Sequence, residues 1–143
     1  MILNERQYAI TKKKIQDFQM QIAELASNIS PKNRNESLRY QTNLKALKSQ
    51  LEELCEEVKE YEELKKGNIT SLKLNSLEEL PDALIKARIA RGLTQEQLAE
   101  ILKVRPQQVQ RDEANKYASS SFKKLLEIQK ALNIKMQEEI FLN

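Results

Sequence analysis

The sequence predicts an all-α protein: an N-terminal antiparallel helical hairpin or coiled coil, then a domain of five short helices. Three observations carry that expectation. Glycine and proline are scarce, at two and three residues in 143, and all-β folds rely on both at their turns. Apolar residues in the first half recur at heptad spacing. In the second half, short apolar stripes alternate with helix-capping signals.

Composition narrows the function classes as well. With 40% hydrophobic and 31% charged residues, the chain has the make-up of a folded, helix-rich protein. It contains no histidine, which removes the usual general base and the commonest metal ligand. Cys55 is the one cysteine, so no internal disulfide can form and a thiolate zinc site would need other chains. There is no glycine-rich phosphate loop either. An enzyme is the weakest class, and no catalytic residue, metal or cofactor is expected. No run of about 18 apolar residues occurs, and "MILNERQYAI" lacks the apolar stretch of a signal peptide. A cytoplasmic location with no membrane partner is therefore expected.

The helices of the first half follow from the seams. Tyr8, Thr11, Ile15, Phe18, Ile22, Leu25 and Ile29 step by three and four. After the Pro/Asn turn "SPKNRN", Leu44, Leu47, Leu51, Leu54, Val58 and Tyr61 repeat the spacing. So short a turn makes the pair antiparallel. The second helix, from about Asn35 to Lys66, should be about 48 Å long at 1.5 Å per residue. One stripe per helix is a thin core for residues 1–66. Two readings follow: self-association into a dimer, or docking of another protein on the seam or its acidic flank. That flank holds seven glutamates and one lysine between Glu52 and Glu63, a composition that also suits a solvated face. Cys55, beside the seam, is expected to be a small packed side chain.

Gly67 and Asn68 stop the second helix. Residues 67–76 then form a linker or one short strand, with Ile69, Leu72 and Leu74 alternating; a lone strand would need a partner from another chain. "SLEE" at Ser76 reads as a capping box and opens a domain over residues 77–143. Its first helix ends at Gly92. Thr94 caps the next, with Gln97 in the reciprocal position, and Leu98, Ala99 and Leu102 form its inner face. Pro106 suits the first turn of a third helix anchored by Val109. Ser119 to Ser121 cap a fourth, Asn133 stops it, and a last short helix ends the sequence.

From Lys86 to Lys124 there are nine Lys or Arg against four Asp or Glu, although the net charge is only +3. The third helix carries glutamines and arginines with no obvious core to face. Such side chains put hydrogen-bond donors and acceptors against base edges. The bland reading of each glutamine alone is a good helix former.

The stretch "LIKARIARGLTQEQLAEILKVRPQQVQRDEANKY…SFKKLLEIQKALNI" resembles the Cro/C1-type (XRE) helix-turn-helix domain of phage repressors and bacterial antitoxins, over residues 80–134. The hairpin with "NERQYAITKKK" resembles, less specifically, a subset of bacterial regulators. The resemblance implies a lambda-repressor-like domain that binds a double-stranded DNA operator, as a homodimeric repressor. In its antitoxin members it also implies a toxin partner and repression of the protein's own operon. The alternative is a protein-interaction adaptor that uses the hairpin and keeps the helix-turn-helix as scaffold.

The resemblance also implies roles. Gln95, at the start of the second helix, matches a position that binds a backbone phosphate. Arg105, Gln107, Gln108, Gln110 and Arg111 occupy the recognition segment, and Lys116 lies where the family often holds phosphate. Arg88 and Glu113 match an ion pair joining the first helix to the end of the recognition helix. From the residues alone, Arg88 borders an apolar face one turn before Gly92, and Glu113 lies one turn beyond Val109. Two departures stand out. Lys103 occupies the family's glycine position after the second helix, and Asp112 replaces an apolar or aromatic residue.

Overall fold

In a computed structural model that describes residues 1–28 and 34–143, the chain divides into two compact units, Met1–Glu62 and Glu63–Asn143. Every regular element among the described residues is helical. The last residue of the first seam, Ile29, and most of the "SPKNRN" turn lie outside the described residues.

The first unit contains α1 (Glu5–Asn28) and most of α2 (Arg34–Lys65). Asn4 starts α1: its side-chain oxygen accepts from the Gln7 N–H at 2.9 Å, while Gln7 reaches back to the Leu3 N–H at 2.9 Å. That satisfies amide groups the first turn would otherwise leave without partners. The seam residues are the shielded positions along both helices. Thr11, Val58 and Tyr61 are buried, and Ile15, Phe18, Ile22, Leu44, Leu47, Leu51 and Leu54 are half-buried. The start of α1 meets the end of α2, which makes the pair antiparallel. The Tyr8 and Tyr61 rings lie 5.2 Å apart, Tyr8 donates to Glu62 at 2.6 Å, and Tyr61 donates to Glu5 at 3.0 Å. Cys55 departs from expectation. It is exposed, because it follows Leu54 and so turns toward the solvated flank instead of the seam.

The second unit holds the remainder. Gly67 ends α2 with φ +70°, and its N–H bonds the Leu64 carbonyl at 3.1 Å. Residues 68–74 form no strand and run as a linker. The capping box expected at Ser76 is not formed. Ser76 makes no side-chain cap, and Glu79 reaches past it to the Asn75 N–H at 2.8 Å. The cause is local: Leu77–Glu79 coil as a single 3-10 turn, tighter than the α-turn that a capping box spans.

Four α-helices follow: α3 (Leu80–Ala90), α4 (Gln95–Leu102), α5 (Pro106–Ala114) and α6 (Phe122–Ala131). Leu84, Ile85, Ile89, Leu98, Ala99, Val109, Ile128 and Leu132 make the core. Ala99 is fully buried where α4 meets α5, and a larger side chain there would hold the two helices apart. Thr94 and Gln97 form both halves of the capping box, at 3.1 and 2.9 Å. Ser121 caps α6 through the Lys124 N–H.

The short helix expected at the end of the sequence is absent. Asn133, with φ 52°, closes α6 in a left-handed turn, and residues 134–143 take no regular structure. Ile140, Phe141 and Leu142 are consecutive, so one helical face could not bury all three.

Lys103 caps α4 at φ 58°, in the left-handed region where a Cβ is strained. Its backbone N–H bonds the Glu100 carbonyl at 3.2 Å, a bond glycine would keep. Lys103→Gly is expected to raise stability by about 1 kcal/mol. A melting temperature that stays level or falls would show that the lysine side chain compensates for the backbone strain.

Candidate nucleic-acid interface

The helix that carries the predicted readers is held from behind by a buried ion pair. Arg88 of α3 and Glu113 of α5 are 3% and 1% exposed. The guanidinium forks onto the carboxylate, Nε to Oε1 at 2.5 Å and Nη2 to Oε2 at 2.9 Å. Its third arm donates to the Leu93 carbonyl at 2.8 Å, in the turn between α3 and α4. One charged cluster thus ties together α3, the turn after it and α5. A buried carboxylate is tolerated only with donors on both oxygens. Gln95 supplies another: its amide nitrogen donates to Glu113 Oε2 at 2.8 Å.

That contact changes the place of Gln95. The side chain matched to a phosphate ligand is 2% exposed and points inward. The physical reason is the neighbouring carboxylate, which attracts an amide donor more strongly than bulk water does in so dry a setting. What α4 still offers an incoming phosphate is the positive end of its dipole, beginning beside Thr94.

Tyr117 covers the same cluster. It is 5% exposed, and burial, reinforced by the Glu113 carboxylate, pushes its phenol above its ordinary range. It gets there through two successive left-handed residues, Lys116 (φ 54°) and Tyr117 (φ 55°). The Tyr117 N–H closes onto the Asp112 carbonyl at 2.7 Å. Lys116 remains exposed, with its ammonium 3.2 Å from the Asp82 carboxylate. Such a surface pair contributes under about 1 kcal/mol, so a phosphate can compete for the lysine.

On the outer side of α5, Arg105, Gln107, Gln110 and Arg111 are exposed, and no described residue hydrogen-bonds their side chains. Pro106 at the first turn leaves Arg105 as an extended N-cap at the edge of the helix. Gln108 sits differently, half-buried, with its amide nitrogen donating to Asp112 Oδ1 at 2.9 Å. Asp112 is 4% exposed and also pairs with Lys124 of α6. The residue that departs from the apolar pattern is therefore buried by charge pairing, which fastens the end of α5 to α6 as an apolar side chain would by packing.

Sequence reasoning had no means to find Lys124 in this role, since twelve positions of unknown geometry separate it from Asp112. The Gln108–Asp112 bond was within reach, because an i,i+4 spacing brings these two side chains together on a helix. Tyr117 was missed because nothing in its neighbours announces a left-handed bulky residue.

Residues 84–138 match the model of the helix-turn-helix family. That span includes α4, α5 and the whole Arg88–Glu113–Gln95 cluster. Among curated proteins and among solved structures, none matches the chain. No helix among the described residues is long and apolar enough to cross a membrane.

Proposed function

We propose, with residues 84–138 as a Cro/C1-type helix-turn-helix, that this protein is a sequence-specific transcriptional repressor acting as a homodimer. The observation that carries the reading is the outer face of α5. Arginine and glutamine stand there exposed and unengaged, on a helix whose other side is locked by buried charge. Glutamine can bond an adenine edge and arginine a guanine edge with two hydrogen bonds each. Placed in a major groove, such a helix reads sequence, while the start of α4 and Lys116 contact phosphates.

The dimer is supported by the hairpin, whose seam is half-buried along most of its length. A second hairpin would complete that core. Two recognition helices would then address two half-sites related by symmetry. A toxin gene adjoining this one would extend the reading to an antitoxin.

Salt dependence of duplex affinity is the direct test. The slope of log affinity against log salt is expected to change by roughly 0.9 for each phosphate neutralised, so several contacts give a steep line. A flat line, or no duplex affinity at any salt, would reduce the helix-turn-helix to a scaffold for protein contacts.

A further inference from the structure

Two stretches of the second unit are irregular and have no backbone partner among the described residues. They are residues 69–74 and 135–143, which form neither helix nor strand. Ile69, Leu72 and Leu74 line a groove of about 710 Å³ together with Leu80, Ala83, Leu84 and Ala87 of α3. Arg91 and Lys135 line it too, and Arg91 Nη2 donates to the Asn133 carbonyl at 2.8 Å. The groove thus combines apolar side chains, a backbone segment with no backbone partner and positive charge. Those are the features of a receptor for an added strand.

The chain contains a segment that fits it. Ile140, Phe141 and Leu142 are 84%, 75% and 93% exposed, a run of apolar surface with no cover in the monomer. Glu138 and Glu139 precede it and complement Arg91 and Lys135. In extended form, Ile140 and Leu142 face one side and can bury together. The segment cannot easily fill its own groove. Ile134 and Met136 already line it, and a reversal after Met136 would need a tight turn where the sequence has no glycine or proline.

We propose that residues 137–142 of a second copy of this chain lie in the groove as a strand beside residues 69–74. The exchange is reciprocal, so it closes a dimer in place of a filament. The inference rests on the homodimer proposed above and adds to it a contact outside the hairpin.

The test uses the full chain. Leu142 is replaced by a photoreactive benzoyl-phenylalanine, and that protein is mixed with isotope-heavy chain of native sequence. Light-to-heavy cross-links from position 142 to residues 67–74 or to α3 are expected. Cross-links within one chain only, cross-links onto residues 1–62, or none would overturn the proposal. Sedimentation of Leu142→Asp provides a second readout. The dimer is expected to weaken by at least about tenfold, the loss of one buried leucine, with an unchanged helical circular dichroism signal because the residue is 93% exposed in the monomer. An unweakened dimer would overturn the tail contact and leave the hairpin dimer standing. A native chain that sediments as a monomer throughout would overturn both.

Discussion

Glu113→Ala should lower the stability of the second unit by about 3–5 kcal/mol, before any nucleic acid is added. The substitution leaves the Arg88 guanidinium at 3% exposure with its carboxylate gone, and removes the acceptor of Gln95. The Leu93 carbonyl, one remaining partner, cannot offset a buried positive charge. Denaturant-dependent hydrogen exchange in α3 and α5 is the appropriate measurement, because it keeps the hairpin out of the signal. The double variant Arg88→Met/Glu113→Leu separates two explanations. If loss of the pair leaves an uncompensated charge, replacing both partners by apolar groups should recover most of the stability. If the double variant is as unstable as the single one, the pair contributes through geometry that apolar side chains cannot supply. Protection in α3 that hardly changes in Glu113→Ala would sink the buried assignment.

At the other face of the same helix, Arg111→Lys is expected to lose about 1–3 kcal/mol of discrimination at one base pair while keeping its salt slope. Lysine preserves the charge but not the planar fork that matches a guanine edge. Arg111→Ala should lose the discrimination as well, and its slope should fall by about one if the side chain also neutralises a phosphate. Gln107→Ala should relax preference at a neighbouring position with no change in slope, since the glutamine carries no charge. Selection from a randomised duplex library, repeated at several salt concentrations, reads all three variants. Unaltered preferences in both the Arg111 and Gln107 variants would remove these residues from the reading surface.

Much of this arrangement was legible in the sequence because it is set by local rules. Heptad spacing placed the inward faces of α1 and α2. The Thr94–Gln97 box, Gly92, Pro106 and Ser121 marked helix ends through caps that act within a few residues. The family likeness brought Arg88 and Glu113 into view across 25 positions, a separation no local rule spans. The losses have physical causes too. Gln95 turned inward because a buried carboxylate needed another donor, and that need exists only once α3, α4 and α5 are assembled. Asp112 looked out of place until Lys124 arrived from α6. A last short helix was expected after Asn133, but Ile140, Phe141 and Leu142 in a row cannot share one helical face.

The bond from Gln108 to Asp112 has a consequence for how sequence preferences are spread over α5. Gln107 and Gln110 are exposed and make no side-chain hydrogen bond among the described residues, so whatever they touch must fix them, at the cost of rotamer freedom. Gln108 has already been stilled by folding, with Asp112 and Lys124 behind it as a fixed mount. On the reading surface proposed above, the helix therefore carries one stiff side chain among supple ones. A base change opposite the supple glutamines can be met by a new rotamer, so its penalty is spread and softened. A change opposite the stiff one meets a side chain with nowhere else to go, and tolerance in the operator should be narrowest there.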